Sequence, residues 1–326
     1  RLPLSLPQIY CRRYRKPQIT QRITVAIPDS RFSLNLYGTG ERPMRVSIIL
    51  PAKNEADGLR QTLPGLKAAM PEAEVIVVDD GSTDATAAVA AEFGARVLSS
   101  PYSMGNGAAI KRGARAASGD ILVFMDADGQ HDAADIPKLL ERLEAGYDMA
   151  VGARNAGGQA SVGRGLANGL SNRLASWMTG HRVADLTSGF RAARAERFRE
   201  FLHLLPNGFS YPTTSTMAFF RSAYPVAYVP IEVARRIGRS HIRPLRDGAR
   251  FLIIILRIAT LYSPLKLFAP ASFVFGALGL SYYAYTYATE QRFTNMSALL
   301  LSASVIIFLI GLVSEQITAL TYRRDY

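Results

Sequence analysis

The sequence predicts an α/β domain with a parallel sheet, followed by a hairpin of two transmembrane helices. Two observations support this prediction. Short apolar runs alternate with helical patterns between Arg45 and about Tyr228, and two long uncharged apolar runs follow Lys266. Alternating strands and helices are typical of parallel sheets, and long apolar runs are typical of membrane spans.

The composition excludes several classes of protein. The 326 residues carry a net charge of +12 and are 48% hydrophobic, so the chain as a whole is not a low-complexity disordered protein. The single cysteine, Cys11, excludes an intrachain disulfide framework and a Cys-based zinc cluster. The four histidines are scattered, which argues against a zinc enzyme. Without a helix-turn-helix or zinc pattern, the positive charge indicates a membrane and phosphorylated substrates rather than nucleic acid.

Residues 1–44 are expected to form a basic, poorly ordered leader. Basic residues and several prolines dominate it, and only Asp29 and Glu41 oppose their charge. It contains no sustained apolar segment of the kind found in secretion signals. Its charge would suit a surface arm that touches anionic lipid.

Residues 45–243 are predicted to form the α/β domain. Four apolar runs predict strands at Val46–Leu50, Val75–Val78, Arg96–Leu98 and Ile121–Met125. Helical patterns lie between them: the first follows Pro51 and extends through Met70, and the others cover residues 85–93 and 108–117. Ser82 or Thr83, with Asp84, can cap the second of these helices.

Three polar clusters lie where predicted strands end: Lys53–Glu55, Asp79–Asp80 and Asp126–Gln130. Because the carboxyl ends of parallel strands converge, we expect these clusters to face one cleft. Asp126 and Asp128 form a D-x-D pair, and such carboxylates are the ligands that Mg²⁺ or Mn²⁺ prefers.

Two uncharged runs, Leu267–Thr289 and Phe293–Ser314, predict the transmembrane hairpin, because each exceeds the roughly 20 residues that span a bilayer as a helix. The alternative is two buried helices of a globular core. Residues 244–265 mix arginines with an apolar run and predict an amphipathic juxtamembrane helix, and 266–326 hold the two spans and a short tail. Basic residues on both flanks place both termini in the cytoplasm of a multi-pass inner-membrane protein.

Five motifs, in this order along the chain, resemble those of family 2 glycosyltransferases. They are Pro51–Glu55, Val77–Asp84, Met104–Ala109, Phe124–His131 and Asp185–Arg191. The series covers about residues 46–241 and most resembles the dolichyl-phosphate mannosyltransferase-like branch, which loads a sugar onto a polyprenyl phosphate. The paired C-terminal spans also resemble those of bacterial polyprenyl-phosphate glycosyltransferases.

The resemblance implies a cytoplasmic GT-A (Rossmann-like) domain that binds a nucleotide-diphosphate sugar. Pro51 and Glu55 would border the nucleotide, and Asp80, with Asp79, would contact the base or ribose. For Asp79 and Asp84, turn formation and helix capping are the alternative.

The resemblance also implies a metal-dependent reaction. Asp126 would face the nucleotide-sugar, and Asp128 and Gln130, with Asp126, would hold Mg²⁺ or Mn²⁺ on the diphosphate. A divalent cation neutralises the charge of a departing diphosphate. The predicted catalytic residues are Asp126 and Asp128, at the metal, and Arg164, a candidate for binding the acceptor phosphate.

The implied acceptor, a lipid monophosphate, needs positive charge rather than a strong general base, because it is largely dianionic at neutral pH. Arg154 and Arg164 are candidates for that charge. Asn168 and Asn172 follow Arg164 at helical i, i+4, i+8 spacing, on one face. The resemblance implies that arginine and small polar residues in this region line the pocket for the acceptor phosphate. Asp185 would orient a neighbouring arginine.

Further residues match the family with two departures. Phe190 is expected to be structural, and the role of Arg191 stays open. A basic loop over the donor diphosphate would contain Arg236, Arg239 and Ser240. His241 and Asn106 stand where the family commonly has lysine, which puts phosphate contacts at these two positions in doubt.

The sequence therefore predicts an inverting membrane hexosyltransferase that uses a polyprenyl (undecaprenyl or dolichyl) phosphate acceptor. Whether the protein forms a homo-oligomer stays open. A processive polysaccharide synthase is one alternative, but its Gln-x-x-Arg-Trp signature is absent around Trp177. A non-catalytic, membrane-anchored nucleotide-sugar-binding scaffold is the other.

Overall fold

The computed structural model describes residues 44–154, 162–208, 210–233 and 262–322, except for the side chains of 162–168. The predicted leader and most of the predicted juxtamembrane helix lie outside these residues. The strands are β1 (Val46–Ala52), β2 (Glu74–Asp79), β3 (Arg96–Ser99), β4 (Ile121–Phe124), β5 (Met149–Arg154), β6 (Arg191–Arg194) and β7 (Val226–Ile231). The helices are α1 (Ala56–Ala69), α2 (Thr86–Glu92), α3 (Asn106–Ala116), α4 (Ile136–Glu144), α5 (Val162–Thr179), α6 (Ala195–Glu200), α7 (Tyr211–Arg221), α8 (Pro264–Glu290) and α9 (Asn295–Thr321).

The strands form one seven-stranded sheet in the order β3-β2-β1-β4-β6-β5-β7. The four strands predicted from apolar runs are present and parallel to one another. The prediction of a parallel sheet is wrong for β6, which runs antiparallel to both β4 and β5. Arginines begin and end this short strand, so no apolar run identifies it in the sequence.

Both faces of the sheet are covered by helices. Ile48 and Leu50 face a core formed with α1 and α4, whereas Ile49 and Ile76 face a core formed with α3, α6 and α7. Side chains alternate between the two faces along each strand. Because both faces are buried, these strands are continuous apolar runs in the sequence.

The helices α8 and α9 form the predicted hairpin. In the part of the chain that the structure describes, these are the two helices long and apolar enough to cross a membrane. Only 11% of the most apolar 18-residue stretch of each helix is buried. That exposure contradicts the alternative of two core helices. Ser272 and Ser304 each donate a hydroxyl hydrogen bond to the other's carbonyl oxygen, at 2.9 and 2.8 Å.

The hairpin is bonded to the α/β domain where both of its helices approach it. Glu315 of α9 forms an ion pair with Arg221 at the end of α7, at 3.3 Å. The same carboxylate accepts hydrogen bonds from the Ser263 hydroxyl (2.9 Å) and the Leu265 amide (3.3 Å) at the start of α8. Glu315 thus ties both hairpin helices to the domain.

Candidate active site

The loops after β1 and β2 are joined by direct hydrogen bonds. The Asn54 amide donates to the Ser82 hydroxyl (3.0 Å), and the Thr83 amide donates to Asn54 Oδ1 (2.8 Å). Asp84 accepts from the Thr86 amide (3.0 Å) and the Ala56 amide (3.3 Å), at the first residues of α2 and α1. Asp84 thus binds the first amide of α2, although the N-cap residue is Ala85, whereas Ser82 and Thr83 bind the neighbouring loop instead of capping α2.

Asp79 and Asp80 are buried and hold turns in place. Asp79 Oδ1 accepts from the Ser82 amide at 2.9 Å, which is the turn-forming alternative. Asp80 accepts from the Ser103 hydroxyl (2.7 Å) and from the Met104 and Gly105 amides (2.6 and 2.9 Å). Burial alone would raise the pKa of Asp80, but these hydrogen bonds outweigh it and lower the pKa. Any contact of Asp80 with a base or ribose would be added to these bonds.

The D-x-D segment follows β4, next to the ends of β1 and β2 at the same sheet edge. Asp126, Asp128 and Gln130 are all partly exposed. The backbone N–H of Gln130 donates to Asp128 Oδ1 at 3.2 Å. Two carboxylates and a carboxamide are hard oxygen donors that fit Mg²⁺ or Mn²⁺ rather than zinc. Among the described residues, no group of three His, Cys, Asp or Glu forms a metal cage. A bound diphosphate and water would therefore have to complete the coordination.

Asp126 lies next to two residues to which the sequence assigned no individual role, Gly189 and His131. A Cβ atom added to Gly189 would lie 2.8 Å from Asp126 Oδ2, so only glycine fits there with the carboxylate in place. His131 Nε2 also lies near this carboxylate, 3.9 Å from Oδ2. The imidazole is stacked on Phe190 (ring centroids 5.0 Å apart), and burial lowers the pKa of His131. His131 is the last residue of the motif Phe124–His131, but nothing in the sequence showed that its side chain would lie next to Asp126.

A buried platform supports the Gly189 segment. The Tyr211 hydroxyl donates to the Gly189 carbonyl oxygen at 3.0 Å, and the Arg191 guanidinium donates to that of Ser188. Arg191 is completely buried and also donates to the Pro212 carbonyl (3.0 Å) and the Ser215 hydroxyl (2.8 Å). Arg191 is therefore structural, and so is the fully buried Phe190, as expected.

Arg154 lies at the carboxyl end of β5 in a bidentate pair with Asp185. Its Nε and Nη2 donate to the two carboxylate oxygens at 2.7 and 3.1 Å. Asp185 thus orients an arginine, as the sequence predicted. Burial would lower the pKa of Arg154, but Asp185 and the nearby charge of Asp126 raise it. A fixed cation therefore faces the D-x-D end of the site.

Asn172, in the C-terminal half of α5, binds the backbone of a neighbouring segment. Its amide nitrogen donates to the Ala184 carbonyl (2.7 Å), and its Oδ1 accepts from the Leu186 amide (3.0 Å). It therefore supports the segment that carries Asp185. The side chains of Arg164, Asn168, Arg236 and Ser240 lie outside the described residues.

Pro51 and Glu55 lie on either side of the end of β1. Pro51 is the sixth residue of the strand, and Glu55 precedes α1, with its amide donating to the Thr86 hydroxyl at 2.9 Å. Both are partly exposed at the edge where β1, β2 and β4 end. The predicted nucleotide-side residues and the predicted metal ligands thus share one edge of the sheet.

Family models match two parts of the chain. The model for glycosyl transferase family 2 matches residues 47–202, and that for the GtrB C-terminal hairpin matches residues 263–320. The first contains all five motifs, and the second contains nearly all of α8 and α9. Together with the two candidate spans, the hairpin match indicates a membrane-anchored protein.

Curated relatives include polyprenyl-phosphate sugar transferases. The undecaprenyl-phosphate mannosyltransferase of Micrococcus luteus is 33% identical over 60% of this chain and 87% of its own length. The undecaprenyl-phosphate 4-deoxy-4-formamido-L-arabinose transferase of Pseudomonas fluorescens is 31% identical over 73% and 72%. Relatives with similar sequences are thus named for different sugars.

A solved structure resembles the α/β domain. Glucosyl-3-phosphoglycerate synthase from Mycobacterium tuberculosis, in complex with Mn²⁺, UDP and glucosyl-3-phosphoglycerate, superimposes with a TM-score of 0.54 and 26% identity. The match covers 66% of this chain and 79% of that one. The mixed α/β sheet is of the GT-A type, as predicted.

Proposed function

Because the chain belongs to glycosyltransferase family 2, we propose that it transfers a hexose from a nucleotide-diphosphate sugar to a polyprenyl phosphate at a membrane. One observation carries the proposal. The D-x-D carboxylates share a sheet edge with the Arg154–Asp185 pair, in a domain bonded to an apolar hairpin. Relatives named for undecaprenyl-phosphate transfer support this choice of acceptor.

We propose that the donor binds at the ends of β1, β2 and β4. Pro51, Glu55 and Asp80 would border the nucleotide, and Asp128 and Gln130, with Asp126, would hold Mg²⁺ or Mn²⁺. The metal would supply positive charge that stabilises the departing diphosphate. Gly189 leaves room for the Asp126 carboxylate, and His131 lies next to it, beside the proposed donor site.

The acceptor phosphate would attack the anomeric carbon from the side opposite the diphosphate. A bond forms between a phosphate oxygen and that carbon, while the bond to the diphosphate oxygen breaks and its electron pair leaves with the nucleotide. No proton has to be removed from a dianionic phosphate, so the site needs cations to hold it in line. Arg154, fixed by Asp185, is one such cation, and we assign Arg164, with Asn168, to the same phosphate. In-line attack would invert the anomeric configuration.

We place the α/β domain on the cytoplasmic side of an inner membrane, with α8 and α9 crossing it. Exposed tyrosines near the hairpin turn, Tyr282, Tyr285 and Tyr287, suit the aromatic belt of the far interface. Lys266 and Arg221 lie at the near end, with the domain. Basic residues on the domain side agree with a cytoplasmic location.

The test is transfer of labelled sugar from a panel of nucleotide-sugars to undecaprenyl phosphate, with Mg²⁺ or Mn²⁺. Asp128→Ala should abolish transfer while the protein still folds, and Asp57→Ala, at an exposed carboxylate on α1, should not. Arg164→Ala should weaken use of the lipid phosphate more than nucleotide-sugar binding. Tight donor binding by the native chain without a lipid-linked product would favour the scaffold alternative.

A further inference from the structure

The helix α5 has an exposed face with an apolar centre. Trp177 is the only tryptophan of the chain, and its side chain is 53% exposed, as is that of Leu170. Arg173 is exposed between them. The spacing i, i+3, i+7 places these residues on one side of the helix, which we call the Trp177 face. Nothing in the proposed reaction accounts for these three side chains.

The opposite side of α5 shows where the Trp177 face lies. Ala175 and Met178 pack with Met217 of α7, and Leu267 of α8 packs against the same cluster. The C-terminal end of α5 is also bonded to the start of the hairpin. Lys266 Nζ donates to the Met178 carbonyl at 2.9 Å, and the Tyr262 hydroxyl donates to that of Thr179 at 3.3 Å.

These bonds put Trp177 near the level at which the hairpin becomes apolar. The uncharged run of α8 begins at Leu267, directly after Lys266, so the Lys266 ammonium marks the boundary between headgroups and hydrocarbon. Met178, which binds Lys266, is the neighbour of Trp177 in sequence. Tryptophan prefers this boundary, because its ring is apolar and its N–H can bind a polar group. Arg173 and the exposed Arg182 add positive charge that suits lipid phosphates.

We propose that the Trp177 face is a membrane-contacting surface. Trp177 and Leu170 enter the boundary between headgroups and acyl chains, and Arg173 contacts lipid phosphates. The surface extends the contact of the hairpin with the bilayer onto the α/β domain and holds α5 against the membrane. It rests on the proposed membrane crossing of α8 and α9, and the experiment below separates the two.

The single tryptophan allows a direct test by fluorescence. The full chain is reconstituted into phosphatidylcholine–phosphatidylglycerol vesicles with and without phosphatidylcholine brominated on its acyl chains. We expect the brominated lipid to quench Trp177. Two control variants in a Trp177→Phe background move the probe: Glu92→Trp to an exposed position on α2, and Leu309→Trp to the exposed side of α9. The first should stay unquenched, since α2 packs beside β2 and β3 at the far side of the sheet, and the second should be quenched.

Each outcome decides the proposal. Quenching of Trp177 and of the α9 probe, but not of the α2 probe, supports it. An unquenched Trp177 beside a quenched α9 probe overturns it and leaves the membrane crossing intact. If the α9 probe is also unquenched, both ideas fail. Unquenched but blue-shifted Trp177 emission would mean that a protein surface covers this face, which also overturns the proposal.

Discussion

Replacing Asp185 by alanine should destabilise the α/β domain more than the same substitution at most other Asp or Glu residues would. Asp185 is 4% exposed and accepts two hydrogen bonds from the Arg154 guanidinium. Removing one partner of a buried ion pair costs about 3 to 5 kcal/mol, because the other charge is left unpaired. The Arg154 side chain keeps 28% exposure, so water can solvate part of it. We therefore expect the lower end of that range, about 3 kcal/mol.

The assay is thermal unfolding of the full chain in lipid nanodiscs. At about 2 to 4 °C per kcal/mol for a domain of this size, the midpoint should fall by about 6 to 12 °C. Asp57→Ala is the matched control, since Asp57 and Arg60 are 2.8 Å apart but 89% and 51% exposed. Exposed pairs contribute about 0 to 1 kcal/mol, so this midpoint should barely move.

Equal, small shifts for Asp185→Ala and Asp57→Ala would refute the reasoning, because burial would then not strengthen the pair. The double variant Arg154→Met with Asp185→Leu adds a second check. Replacing a buried pair by apolar residues of similar size is often neutral, but Asp185 also accepts from the Thr187 and Ser188 amides (3.0 and 3.1 Å), so the double variant should regain only part of the stability. If Arg154 also binds phosphate, the double variant should still transfer no sugar.

Three further outcomes are expected. Gly189→Ala should lower kcat on the order of 100-fold with the fold intact, because the added methyl displaces the Asp126 carboxylate; unchanged kcat would contradict the proposed position of Asp126. Glu315→Gln should cost on the order of 1 kcal/mol and speed proteolysis between domain and hairpin, since the pair with Arg221 is lost; equal cleavage rates would contradict this. Since hydrogen bonds and ion pairing lower the pKa of Asp80 and Asp185 below 3.8, their stabilisation should be complete above pH 3.8 and lost as the pH falls through their folded values. Acid unfolding monitored by circular dichroism should therefore be less pH-dependent in Asp185→Asn.

Much of the fold follows from hydropathy patterns. Strands buried on both faces are continuous apolar runs, and a membrane span is a long uncharged run, so both are visible without coordinates. The antiparallel β6 was missed because Arg191–Arg194 is short and begins and ends with arginine. Its direction matters, since it brings the preceding Gly189 to the same edge as the carboxyl end of β4.

The ordered motifs of the sequence alone determined the family and the GT-A fold, and they predicted the D-x-D metal ligands, because these depend on residue types at fixed places along the chain. Only the tertiary structure decided that Arg154 is the arginine held by Asp185, that Asn172 supports the backbone, and that Gly189 and His131 adjoin Asp126. The physical reason is that these roles depend on direction and contact across many intervening residues. Hydropathy records whether a side chain is buried, but not which partner it meets.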